Sequence, residues 1–293
     1  DDVEGPSRGR TPGATGFVGR NLVPALLDAG HDVRALTRDK SSGIDRIDSR
    51  ATVVEGDILD RLSLEGVFED VDLAFYLVHS LAFGEEFEEK DKQAAANFAD
   101  EASEAGVKRV IYLGGLGETG EDLSPHLRSR RDVERVLAEG EYELTTFRAA
   151  IIVGAGSASF EMVRQLAARL PIMITPRWVR TESQPIAISD VIEYLVKAVD
   201  MPETAVKTFE IGGPEILTYQ QMMRRTAAAM GRRLRIIPVP VLTPKLSVYW
   251  IDLVTETPPH ISHPLVEGLR NPVVVTDDLS DRPESYRKTA RPF

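Results

Sequence analysis

Pro12-Gly13-Ala14-Thr15-Gly16-Phe17-Val18-Gly19 places three glycines at intervals of three residues. Asn21-Leu22-Val23-Pro24-Ala25-Leu26-Leu27-Asp28-Ala29-Gly30 follows with apolar residues at helical spacing, and Gly30 stands where such a helix should stop. Asp32-Val33-Arg34-Ala35-Leu36 then reads as a strand. A glycine-rich turn, a helix and a strand in this order make a βαβ dinucleotide-binding unit. The first glycine permits a tight turn, the second lets backbone N–H groups approach a pyrophosphate, and the third lets the helix pack closely. The start of the helix then offers N–H groups and a partial positive charge to the anion. The expected contacts are Gly13, Thr15, Gly16, Phe17, Val18 and Gly19. The alternative for the same letters is an ordinary glycine-rich loop.

A buried parallel strand should precede the glycines. Residues 1–11 hold one large apolar residue, Val3, and prolines stand at Pro6 and Pro12. They do not read as a central strand. Either the first strand is altered at this end, or a poor strand is held in place by its neighbours.

Downstream, strands and helices alternate. Residues 51–57, 71–78, 107–113 and 142–153 read as strands. Residues 63–68, 85–105 and 129–138 read as helices, the second of them ended by Gly106. This alternation predicts an α/β fold, a Rossmann-like doubly wound parallel sheet. Beyond Gly154 the pattern loosens. A helix is expected over 160–167, irregular chain over 171–185, and a short strand and helix over 185–199 with Asp190 in a capping position. A strand follows over 208–211, then a helix capped by Thr218. The expected division is a nucleotide-binding core over 1–155 and a small C-terminal substrate lobe over 156–293, with segments near 185–211 returning to the core sheet. The tail from Thr276 is polar and expected to fray.

The chain carries 46 acidic and 35 basic residues, a net charge of −11, which argues against a broad basic face for nucleic acid. It has no cysteine, so disulfides, thiolate metal sites and a Cys nucleophile are excluded. The five histidines show no metal-ligand spacing, and no metal is expected. No apolar run reaches the roughly 18 residues a membrane helix needs, and the first residues form no apolar signal core, so a cytoplasmic protein is expected. The apolar, proline-rich stretch 236–259 includes Tyr249 and Trp250. It reads as a helix packed on the core, or as a lid or partner surface over 241–254.

Two further places bear on cofactor choice. Thr37-Arg38-Asp39-Lys40 follows the second strand, about 20 residues past the glycines, where an acid binds a ribose 2′-hydroxyl and an Arg accommodates a 2′-phosphate. Arg38 with Lys40 favours NADP, with NAD as the alternative. The competing reading makes Arg38 a solvated loop residue and Asp39 the cap of the next turn. Asp57 and Ile58 would lie beside the adenine, and Leu77, Val78 and His79 stand at the C-terminal end of a buried strand, the edge at which open α/β sheets bind ligands.

Gly-Ala-Thr-Gly-Phe-Val-Gly at 13–19, Gly-Asp at 56–57 and Phe-Arg-Ala-Ala-Ile-Ile-Val-Gly at 147–154, in this order of elements, resemble the short-chain dehydrogenase/reductase superfamily. The likeness is to its atypical members, among them the NmrA-like regulators, NAD(P)H-binding proteins and the nucleotide-binding accessory subunit of respiratory complex I. It runs from about residue 11 to 275 and implies a Rossmann core, a small substrate lobe and an NAD(P) cofactor. Catalytic members carry Tyr-x-x-x-Lys on the helix after the fifth strand. Here the matching letters are His126-Leu127-Arg128-Ser129-Arg130, so His126 stands for the tyrosine and Arg130 for the lysine. His126 is the candidate general acid and Arg130 the candidate ribose or phosphate holder. The hydroxyl that usually binds the carbonyl at the end of that strand is absent from Gly114-Gly115-Leu116. The resemblance thus implies an NADP-dependent oxidoreductase acting on a small carbonyl or quinone-like substrate, or a non-catalytic NADP-binding sensor, regulator or accessory subunit.

Overall fold

The computed structural model of the chain describes residues 13–78, 87–117, 125–175, 177–238 and 271–277. The expected first strand ahead of the glycines, His79 and the 241–254 surface lie outside the described residues. What is described falls into two compact units: one within Asp1–Tyr112 and Asp132–Thr145, the other within Leu113–Arg131 and Thr146–Phe293.

The first unit begins with helix α1 (Phe17–Asp28), which buries Gly19, Leu22, Val23 and Leu26 on one stripe. Strand β1 (Arg34–Thr37) follows, then the single turn α2 (Lys40–Gly43) and strand β2 (Thr52–Glu55). β1 and β2 pair in parallel, Arg34 beside Thr52 and Thr37 beside Glu55. A 3₁₀ turn at Arg61–Leu64 stands where a short α-helix was expected over 63–68. Strand β3 (Leu73–Tyr76) leads to helix α3 (Phe87–Glu104) and strand β4 (Arg109–Gly115). Helix α4 (Pro125–Leu137) starts a turn earlier than the sequence pattern suggested. Both α1 and α3 stop where glycine supplies a left-handed residue, Gly30 at φ +92° and Gly106 at φ +72°.

α3 buries Ala94, Ala95, Ala99 and Ala102 around the ring of Phe98, with Asp91, Asn97 and Glu101 buried on the same helix. The Phe98 ring meets Phe68 and Tyr76 edge-on at 5.1 and 5.0 Å. Such pairs add about 0.5–1.5 kcal/mol beyond the area they bury. Val110 and Tyr112 of β4, with Val133 and Leu137 of α4, complete this core. Burial on both faces of β4 explains why its letters run apolar without alternation.

Strand β5 (Glu143–Ala149) leaves the first unit for the second, where β6 (Ile152–Val153), α5 (Ala158–Arg169) and β7 (Ile172–Thr175) follow. Then come β8 (Glu182–Ser183), β9 (Ile186–Ala187), α6 (Ile188–Val199), β10 (Thr208–Ile211), β11 (Leu217–Thr218), α7 (Tyr219–Ala229) and β12 (Arg235–Pro238). Four strands form one parallel sheet in the order β10-β5-β4-β3. The region 171–185, expected to be irregular, contains β7 and β8. β7 exists because β12 pairs with it in parallel, Met173 beside Ile236. α5 and α7 pack through Met162, Val163, Leu166, Met222 and Met223. Thr218 caps α7 through a capping box with Gln221, as its letters indicated. Asp190 does not cap α6: Ala187 holds that position and Asp190 lies buried in the first turn.

The stretch 271–277 is tied into the second unit. Val273 N donates to Glu182 O at 3.0 Å, and Gln184 N donates to Val273 O at 2.8 Å. The Gln184 side chain donates to Gly213 O at 2.6 Å and accepts from Val275 N at 3.0 Å. Glu210 accepts from Thr276 N at 2.7 Å, while its own N donates to Asp277 at 2.9 Å. Thr276, expected at the start of a frayed tail, is therefore held.

Candidate functional site

In the first unit the glycine loop turns directly into α1. Gly16 N donates to Gly13 O at 3.2 Å, closing the turn. Gly16 is the residue before the helix, at φ −78° and ψ 178°, with no side-chain cap, and the first turn contains no acid. The start of α1 therefore presents its positive end with no carboxylate in its own first turn. None of the three glycines has a left-handed φ. What the spacing requires is room. A Cβ on Gly19 would be driven into Gly13 O and would stand 2.7 Å from Ala14 Cα. A Cβ on Gly13 would only touch Leu36 O at 3.5 Å, an ordinary contact. Thr15, Phe17 and Val18 are half-buried around this turn.

The same Leu36 belongs to the C-terminal end of β1, so the glycine loop and the chain after β1 meet. Thr37 O accepts from Gly56 N at 3.0 Å, which brings in the loop after β2. Arg38 is half-buried. Asp39 is engaged locally: its Oδ1 accepts from Ser41 N at 2.9 Å and from Ser41 Oγ at 2.6 Å. It shapes the α2 turn, as the competing sequence reading held. Lys40 is exposed, and its backbone N donates to Glu55 Oε2 at 3.2 Å.

The loop after β2 is pinned from several sides. Asp57 N donates to Ser63 Oγ at 2.8 Å. Asp57 Oδ1 accepts from Leu59 N at 3.0 Å. Ile58 O accepts from Asn97 Nδ2 of α3 at 2.8 Å. Arg61 spans Asp100, Glu101 and Glu104 on α3, with 2.9 Å to Asp100 and 2.8 Å to Glu101. The Ile58 side chain is 7% exposed and packs in the core, so it offers a ligand its backbone and not its side chain. Val78 packs in the same core, and Leu77 beside it is half-buried.

Sequence reading missed Asn97 and Ser63. The signal for Asn97 was present: an amide on the buried stripe of α3, among Ala94, Ala95 and Phe98.

In the second unit Ser129 and Arg130 are buried on α4, Arg130 at 3% exposure. His126 lies on the first turn of that helix, and its side chain is outside the described residues. After β4 the backbone of Leu116 donates to Ala149 O at 2.8 Å, and Arg131 holds Gly117 O at 2.9 Å. No group of three or more acidic or histidine residues suited to a metal occurs among the described residues. No helix among them is long and apolar enough to cross a membrane.

Comparison with known proteins follows the same outline. Ceramide reductase of Caulobacter vibrioides is 28% identical over 258 residues, 84% of this chain and 78% of that protein. A nucleoside-diphosphate-sugar epimerase from Staphylococcus aureus superposes with a TM-score of 0.71 at 14% identity, covering 94% of this chain and 96% of that one. The UDP-glucose 4-epimerase of Thermus thermophilus, solved in complex with NAD, gives 0.63 at 17% identity, covering 88% and 97%. These structures share the Rossmann-like fold that the parallel strands build here. The model of the NmrA-like family matches residues 12–257, from the glycine loop through the second unit, and the chain belongs to that family.

Proposed function

We propose that the glycine loop binds a nicotinamide dinucleotide, NADP in preference to NAD, and that the protein is an oxidoreductase of the atypical short-chain dehydrogenase type. The observation that carries this reading is the closure of Gly19 onto Gly13 at the uncapped, acid-free start of α1. Backbone packed this closely leaves room for a pyrophosphate where a side chain would otherwise stand. The NAD complex of the epimerase that shares the fold supports the class of ligand.

Arg38 and Lys40 supply positive charge beside a 2′-phosphate. Asp39, the acid that would take a free ribose hydroxyl, spends Oδ1 on Ser41 instead. The Asp57 carboxylate and the backbone at Ile58 face the adenine. The nicotinamide ring, when bound, supplies or accepts the hydride. Arg130 fills the lysine position of the family pattern and holds a ribose or phosphate oxygen, and His126 moves the proton at the substrate oxygen. The substrate is a small carbonyl or quinone-like compound.

A second reading is a cofactor-binding sensor or accessory subunit without turnover. The absence of a hydroxyl at Gly114-Gly115-Leu116 favours it, because that place usually holds the substrate carbonyl.

Titration of the purified protein with NADPH and NADH, followed by fluorescence and melting temperature, tests both. The oxidoreductase and sensor readings expect tighter NADPH than NADH binding, and no binding of either defeats both. His126→Phe then separates them. Loss of carbonyl reduction with intact NADPH binding supports catalysis, and full activity removes His126 from the acid role.

A further inference from the structure

We infer that Asn97 is a positioning residue for the adenine end of the site: it orients the Ile58–Leu59 peptide and, through it, the Asp57 carboxylate. This rests on the dinucleotide-binding reading above. The peptide is gripped at both ends. Its carbonyl, Ile58 O, accepts from Asn97 Nδ2 at 2.8 Å. Its N–H, on Leu59, donates to Asp57 Oδ1 at 3.0 Å. The amide itself is fixed in turn, since Gln93 Nε2 donates to Asn97 Oδ1 at 2.8 Å. Asn97 is 5% exposed, with Ala94, Ala95 and Phe98 beside it on the buried face of α3. A buried amide on such a face costs stability unless its groups are bonded, and here both are.

Turning the Ile58–Leu59 peptide would release Leu59 N from Asp57 and let the carboxylate swing. An ionised carboxylate only accepts hydrogen bonds, and the exocyclic amine of adenine only donates them. The pair therefore recognises adenine against hypoxanthine, whose carbonyl at that position repels a carboxylate. Asn97 thus contributes to base selectivity without touching the base. Arg61, bonded to Asp100, Glu101 and Glu104, fastens the same loop to α3 from its outer side, so the loop stays attached when the inner bond is cut.

The test compares the affinity of wild type, Asn97→Ala, Asn97→Asp and Asp57→Asn for NADPH and for its hypoxanthine analogue. Asn97→Asp keeps the shape and sets an acceptor against Ile58 O. Ala102→Gly on the same buried helix face serves as the control for general loosening of α3. The expected result for Asn97→Asp is roughly tenfold weaker NADPH binding, with the preference for adenine over hypoxanthine reduced towards that of Asp57→Asn. Ala102→Gly should lower melting temperature while keeping the wild-type base preference. Should Asn97→Ala fold poorly, Asn97→Asp alone decides. Asn97 variants that keep the wild-type base preference overturn the inference while leaving dinucleotide binding in place. A wild type that binds neither nucleotide overturns the binding reading itself, and this inference with it.

Discussion

A methyl group on residue 19 would be pressed against the carbonyl oxygen of Gly13, with Ala14 Cα 2.7 Å away. Backbone cannot swing aside as a side chain does. Gly19→Ala should therefore push α1 away from its own loop. We expect a loss of NADPH affinity of at least about tenfold and a destabilisation of roughly 1–3 kcal/mol. Gly13→Ala, whose methyl meets only Leu36 O at 3.5 Å, should leave the melting temperature near wild type. Equal melting temperatures for the two variants would contradict the close approach at residue 19.

Cofactor choice should depend on the loop after β1. Arg38→Ala should weaken NADPH binding by about tenfold or more and leave NADH within about a factor of two. Glu55 holds Lys40 N at 3.2 Å and puts a negative charge in the same loop. Glu55→Gln should shift preference the other way, towards NADPH, by a few-fold at low salt. Parallel titrations with both dinucleotides check this. A uniform loss for both in Arg38→Ala would place Arg38 away from the 2′-phosphate.

Val206 sits at φ +53° with 74% of its surface exposed, just before β10. A β-branched residue is strained in that region and here gains little burial in return. Val206→Asn, and Val206→Gly to a lesser degree because of glycine's flexibility when unfolded, should stabilise the protein by about 1 kcal/mol, or roughly 2 °C. A lower melting temperature for Val206→Asn would show that the valine has a packing role.

Acid should loosen the fold through exposed carboxylates. Hydrogen bonds from the Arg50 side chain, then from its backbone N–H, hold Asp48 at about 2, below its ordinary 3.8. Lys108 likewise lowers Asp72, Arg164 lowers Glu161, and Arg225 lowers Glu215. A carboxylate with a depressed folded pKa stabilises the native state above its unfolded pKa and loses that contribution as pH falls through the folded one. The melting temperature should thus decline from about pH 4.5 towards pH 2. High salt should flatten the decline, because these pairs are solvent-exposed. Arg50→Ala should show a shallower slope, and a slope equal to wild type would exclude Asp48 as a contributor.

Local punctuation carried much of the sequence reading. Gly30, Gly106 and Thr218 mark helix ends that depend on a few adjacent residues, and each lies where it was read. What was not legible depends on distant partners. β7 needs β12, more than 60 residues later, and nothing in Ile172–Thr175 announces that pairing. The run 142–153 looked like one strand. It divides because the chain changes neighbours, from β10 beside β5 to β9 beside β6. Around Asp57 the helix read at 63–68 is replaced by a 3₁₀ turn, in which Ser63 Oγ accepts from Asp57 N. At the site, the glycine loop and Asp39 were readable because their geometry is local. Asn97 acts across 39 positions, on Ile58.

The tie between Gln184, Glu210 and the stretch 271–277 has a polymer consequence. Glu210 holds Thr276 across 66 positions, and Gln184 holds Val275 across 91. Contacts so far apart in sequence meet the entropy of loop closure before any bond offsets it. These ties should therefore form late in folding, after the local turns of α5 and α7.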